Sequence, residues 1–206
     1  MNNLNKAFGE VQSIGEYSRK YFLYLMKVFE TIDQNEINML GETLETARLN
    51  GNTIFVAGNG GSAATATTMA NDIGFDIIKK TGTDKPFRLF SLVDNNSVVT
   101  AIANDVGYDN TFINQLKIHY RSGDSLIVIS ASGNSPNVLK AAEWVKSKGG
   151  PIIGFLGFTG GKLIGLCDVK IHVKSEAGEY GPVEDAHLIM NHILAHWFQN
   201  KLKLNN

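Results

Sequence analysis

The stretch that decides the fold is Ile54-Phe55-Val56-Ala57-Gly58-Asn59-Gly60-Gly61-Ser62. Four apolar residues in a row, closed by a turn, mark a short strand buried on both faces. The turn is rich in glycine and polar side chains, and it runs into a helical stretch from about 63 to 74. A buried strand feeding a helix in this way is the first half of a βαβ unit. Similar apolar runs recur at 87–93, 125–130, 151–158 and 169–173, with helical stretches at about 97–103, 110–118, 137–148 and 160–165. That alternation predicts a parallel sheet with crossover helices, a three-layer α/β sandwich.

Upstream of this unit the texture is helical. Residues 8–32 read as one long helix, with Val11, Ile14, Tyr21, Leu25, Val28 and Ile32 in steps of three and four. Tyr17, Phe22, Met26 and Phe29 widen that stripe, so the helix must pack on its own subunit or on another. A second helix over about 35–50 carries Ile37, Leu40, Leu44 and Ala47 on one face and ends at Asn50-Gly51-Asn52. Downstream, helix returns from about 183 to 202. With no repeat or linker in sight, the expectation is a single domain over 1–206, in which 1–50 form a helical N-terminal extension.

Composition narrows the function. Across 206 residues, 19 Lys+Arg meet 20 Asp+Glu for a net charge of -1, which argues against a nucleic-acid footprint. Cys167 is the one cysteine, so neither an intrachain disulfide nor a cysteine zinc cluster forms. The opening Met1-Asn2-Asn3-Leu4-Asn5-Lys6 is no secretion signal, and no apolar run approaches the ~20 residues that span a bilayer. A cytoplasmic protein with no membrane partner is expected. The 21 glycines exceed the usual ~7% share, and their positions matter.

Ligands of open α/β sheets bind beyond the carboxyl ends of the strands. The first strand ends in Gly58–Ser62; the third ends in Ser130-Ala131-Ser132-Gly133-Asn134-Ser135-Pro136. In the latter, Ser135 suits an N-cap and Pro136 the first helical position. Free N–H groups and the helix dipole favour an anion there, and the Ser130, Ser132 and Ser135 hydroxyls suit phosphate oxygens. A dinucleotide fingerprint fits poorly, since the next strand ends at Val93-Asp94, more than 30 residues after Gly58. The lysine of a triphosphate loop is missing too. Hydroxyls without lysine suit a phosphomonoester such as a sugar phosphate, and no nucleotide cofactor is expected.

The last helix carries the densest set of proton-transfer groups: Glu184, Asp185, His187, His192 and His196. At 100° per residue Glu184 and His192 share a face, while His187 points elsewhere. His192 and His196 have the i, i+4 spacing of helical metal sites, although His196 and Trp197 are expected to pack at the amphipathic end. His119 and His172, without acidic neighbours in sequence, read as structural.

Gly58–Ser62, Ala103-Asn104-Asp105-Val106-Gly107-Tyr108, Ile129–Ser135 and Gly160-Gly161-Lys162 occur in the order found in sugar isomerase (SIS) domain proteins. Over about residues 10–200 the chain most resembles the phosphoheptose isomerases. The resemblance implies a five-stranded parallel sheet flanked by helices, and a homotetramer built partly from the N-terminal helices. It implies aldose–ketose interconversion of sedoheptulose 7-phosphate and D-glycero-D-manno-heptose 7-phosphate through an enediol. Phosphate would lie on Ser130, Ala131, Ser132 and Ser135. Asn59, Gly60 and Ser62 would line the pocket, with Asp105 near the reacting end.

The family's catalytic histidine falls at His192, its catalytic glutamate at Asp72 and its glutamine at Glu184. Some members hold zinc through these three positions and a histidine that falls at Thr68. Here the chain departs from the pattern. Thr68 removes a ligand, Asp72 is one methylene short, Glu184 is charged and Ala131 replaces a threonine. Two options stay open: Glu184 takes over the carboxylate role, or Asp72, Glu184 and His192 hold a metal, zinc in the family. Two alternatives to the heptose reading also stand: another phosphosugar as substrate, or a non-catalytic tetramer that binds phosphosugar or protein.

Overall fold

The structure, a computed structural model, describes residues 2–204. Five parallel strands form its sheet: β1 (Thr53–Gly58), β2 (Arg88–Ser91), β3 (Ser125–Ser130), β4 (Ile152–Gly157) and β5 (Val169–Val173), in the order β2-β1-β3-β4-β5. Alternation along the strands divides the core. Ile54, Val56, Ile127, Ile129, Ile153 and Phe155 face one layer, and Phe55, Ala57, Leu126, Val128, Ile152 and Leu156 the other.

The helices follow the same division. On the first face lie α3 (Gln34–Leu49), α4 (Gly61–Met69), α5 (Asp76–Thr81) and α9 (Tyr180–Leu204), bringing Leu40, Leu44, Ala66, Met69, Ile77 and Phe198. On the second face, α7 (Thr111–His119) and α8 (Pro136–Ser147) bring Phe112, Leu116, Val138 and Val145. Before α7 and in contact with it runs α6 (Asn96–Val106), and α3 is a full member of the sandwich although it falls within residues 1–50. The expected helix at 160–165 shrinks to a single turn, Leu163–Gly165.

The long helix expected over 8–32 is two: α1 (Asn3–Gly9) and α2 (Ile14–Glu30). The break has a local cause. Ser13 Oγ accepts the Glu16 N–H at 3.2 Å, and Glu16 Oε2 accepts the Gln12 N–H at 2.9 Å. This serine–glutamate capping box starts a new helix where the apolar pattern alone shows continuity. Val28 and Ile32 bury against the sandwich, and the Tyr21 and Tyr24 hydroxyls donate to Asp185 and to the buried Glu179. Ile14, Phe22, Leu23 and Met26 of α2 face outward, at 61–86% exposure.

His187 ties α9 to the sheet. Its Nε2 lies 3.2 Å from the Leu156 carbonyl, and Phe155 meets its ring edge-on. Full burial pushes its pKa down to about 4, from an ordinary 6.5. Between those values the unfolded chain binds the proton more readily, so stability present above pH 6.5 is lost as the pH falls toward 4. The loss attributable to this one group is on the order of 3 kcal/mol. Urea titrations at pH 7.5, 6 and 5 should show wild type weakening faster than His187→Leu. Parallel pH profiles for the two proteins would refute this.

Candidate active site

Strand order reverses between β1 and β3, and their register sets Gly58 beside Ile129. The glycine turn and the serine turn therefore leave the sheet side by side, at the switch point where open α/β sheets take their ligands. An amide pair joins them: Asn59 Nδ2 donates to Asn137 Oδ1, and Asn137 Nδ2 donates to Asn59 Oδ1, each at 2.9 Å. The Tyr108 hydroxyl donates to the same Asn59 oxygen at 2.8 Å.

The serine turn is held from within and from outside. Ser130 Oγ accepts the Gly133 N–H at 3.1 Å, and Ser132 Oγ accepts the Asn134 N–H at 3.3 Å. Each hydroxyl keeps its proton for a further acceptor. Ser135 occupies the N-cap of α8 with Pro136 next, but its hydroxyl makes no capping bond. Across the turn, the end of β4 and the loop after it donate N–H groups from Gly157 to the Ala131 carbonyl, from Lys162 to Asn134 Oδ1 and from Leu163 to the Gly133 carbonyl. Gly133, at φ +64°, lies so close that a Cβ there would sit 1.9 Å from the Gly160 oxygen.

On the glycine side, Gly60 takes φ +56° and Ser62 is buried in the first turn of α4. The Glu184 carboxylate from α9 lies over that turn. A Cβ on Gly61 would be 2.3 Å from its Oε2, so the carboxylate rests directly on the glycine. Burial, then the neighbouring Asp185, pushes the Glu184 carboxyl above its ordinary range. Further along, the helix widens into a π-helical segment, Ala70–Phe75, that continues α4 into α5. Such segments are frequent at functional sites. Asp72 sits on it. Its Oδ2 accepts from Asn191 Nδ2 at 2.8 Å and lies 3.6 Å from His192 Nε2, while its Oδ1 accepts from Asn71 Nδ2 at 2.9 Å.

The structure thus pairs His192 with Asp72 and sets Glu184 over Gly61, the backbone positions of His192 and Glu184 lying about 12 Å apart along α9. Among the described residues, no three His, Cys, Asp or Glu side chains converge as a metal ion requires. Thr68 bonds back to the Ala64 carbonyl of its own helix at 2.9 Å. The trio Asp72, Glu184 and His192 does not fit a zinc ion in this arrangement. Asp105 stands exposed near the end of α6, bonded to the neighbouring Asn104, and it is Tyr108 of the same motif that reaches a turn. His196 and Trp197, expected to pack, are exposed, Trp197 by 63%.

Sequence reasoning missed Asn137, Tyr108 and Asn191. For two of these a signal existed. Asn137 and Asn191 are amides at buried helical positions whose neighbours Val138, Met190 and Leu194 are core residues. A polar residue in an apolar register needs a partner.

The SIS domain family pattern matches residues 16–157. The chain is similar to the phosphoheptose isomerase of Aneurinibacillus thermoaerophilus, 41% identical over 146 residues, which are 70% of this chain and 71% of that one. It is 36% identical over 190 residues to phosphoheptose isomerase 2 of Campylobacter jejuni, covering 89% and 92% of the two chains. The phosphoheptose isomerase of Neisseria gonorrhoeae superposes with a TM-score of 0.79 at 26% identity, covering 91% of this chain and all of that one. The chain belongs to the SIS domain family, among the phosphoheptose isomerases.

Proposed function

We propose that the protein interconverts sedoheptulose 7-phosphate and D-glycero-D-manno-heptose 7-phosphate through an enediol. The observation that carries this reading is the switch-point crevice. It sets a hydroxyl-lined anion turn beside the Glu184 carboxylate and the His192–Asp72 pair. Phosphate lies on Ser130, Ser132 and Ser135, with the buried Ala131 methyl shaping the floor. Asn59, Gly60, Ser62 and Asp105 serve the sugar.

The chemistry needs a base for the carbon-bound proton and a group for the two oxygens. Glu184 is the carboxylate suited to carbon: burial, then the neighbouring Asp185, makes it more basic. It takes the proton from the carbon beside the carbonyl, leaving an enediolate, and returns it to the neighbouring carbon. His192 carries the oxygen proton from one hydroxyl to the other. Asp72, with an amide on each oxygen, orients His192 and balances its charge.

The outward apolar residues of α2 support self-association as a homotetramer, and the protein acts in the cytoplasm. No helix among the described residues is long and apolar enough to cross a membrane. Thr68, Asp72 and Glu184 in place of the family residues favour one second reading, the same reaction on another phosphosugar.

The test is incubation with sedoheptulose 7-phosphate in heavy water, followed by NMR. Product and deuterium uptake at the reacting carbon are expected, and Glu184→Gln should lower both by about 10²-fold or more. Turnover of a different phosphosugar alone would replace the heptose assignment. No product and no deuterium uptake from sedoheptulose 7-phosphate would end the heptose assignment.

A further inference from the structure

We infer that Asn191 is a positioning residue whose buried amide sets the Asp72 carboxylate against His192. The inference rests on the reading above, in which Asp72 and His192 belong to the reaction centre. Asn191 has no exposed surface. Its Nδ2 donates to Asp72 Oδ2 at 2.8 Å, the oxygen that also faces His192 Nε2. A carboxylate only accepts, so the amide nitrogen must be the end that meets it.

The other end of this amide is telling. Asn191 Oδ1 is buried and has no hydrogen-bond partner among the described residues. A residue present for packing would not look like this, because a leucine of similar size fills the space without stranding an oxygen. The side chain is explained by its donor.

Asp72 needs such a donor. It is short, and its backbone lies in a widened helical turn. Its second amide, from Asn71, sits on an exposed residue, where water competes for the bond. The charges on the adjoining α5 are engaged elsewhere: Lys80 lies 3.0 Å from Asp76, and Lys79 lies at 4.0 Å. From β2 the segment meets Leu89. Among the described residues, His192 is the one basic side chain in ion-pair range of Asp72. Asn191 is the fixed point that keeps Oδ2 on the His192 side.

The experiment compares kcat and KM for wild type, Asn191→Leu, Asp72→Asn and the double variant, together with a crystal structure of Asn191→Leu. Asn191→Leu should lower kcat about 10- to 100-fold with KM within about twofold, because a misplacement near 1 Å costs roughly 10²-fold. In the Asp72→Asn background it should add less than about twofold, since its effect passes through Asp72. The crystal structure should show the Asp72 carboxylate turned away from His192. Equal losses in both backgrounds, or an unmoved Asp72, overturns the inference. A wild type that turns over no sugar phosphate sinks the functional reading instead, and the crystal structure then decides the positioning role alone. If Asn191→Leu does not fold, Asn191→Ala serves for the same comparisons.

Discussion

Replacing His192 with asparagine is expected to lower kcat by about 10³-fold while leaving thermal stability nearly unchanged. The two halves of that expectation have separate causes. The His192 side chain is 58% exposed, and its recognised contact is the 3.6 Å approach to Asp72. Removing so open a group changes stability by no more than about 0.5 kcal/mol. An amide cannot exchange a proton near neutral pH, so transfer between the sugar oxygens is lost. Kinetics by NMR, alongside a thermal melt, checks both halves. Unchanged turnover would remove His192 from the reaction. A collapsed melting temperature would make the residue structural.

The second large effect is expected from Gly133→Ala. A Cβ at this position faces two obstacles. The backbone is left-handed at φ +64°, which costs an L-residue roughly 1–2 kcal/mol. The methyl would also overlap the Gly160 oxygen, at 1.9 Å, and the Gly160 carbonyl carbon, at 2.4 Å. Neither is the end of a flexible side chain. Either the serine turn or the loop after β4 must move, and the Leu163 and Lys162 bonds to Gly133 and Asn134 go with it. A total cost of about 3 kcal/mol would lower Tm by roughly 6–12 °C for a chain of this size, and KM should rise at least tenfold as the phosphate hydroxyls shift. Gly82→Ala is the control: it is left-handed at φ +66° and ψ 16°, but nothing lies within 4 Å of the added carbon. It should show the backbone strain alone. Equal Tm losses in the two variants would mean that the packing between the loops contributes nothing.

How much of this was legible in the sequence depended on the kind of information each feature needs. Strands β3 and β5 match the apolar runs at 125–130 and 169–173 residue for residue. Strand β3, buried on both faces, leaves an almost unbroken apolar run, and edge strand β5 leaves an alternation in which Lys170 and His172 are half-buried. The helix break between α1 and α2 was legible in principle, through Ser13 and Glu16, but the stronger apolar periodicity hid it. The π-helical segment around Asp72 was not legible, because it is a property of how α4 and α5 are packed and leaves no periodic mark. The two turns were found because glycine and serine chemistry is local. The partners that lock them were not, since Asn59 and Asn137 are 78 residues apart and Asp72 and Asn191 are 119 apart. Those pairings exist only once the sheet has brought the segments together.

The reciprocal amide pair of Asn59 and Asn137 has a consequence for how the crevice meets a sugar phosphate. Two amides that each give and take one hydrogen bond form a closed ring, and neither turn can swing out without opening both bonds. The walls of the crevice are therefore ordered before any sugar arrives. Most of the freedom lost on association is the ligand's own, and little binding energy is diverted to arranging the protein. Turns that arrive from different strands behave as one rigid jaw.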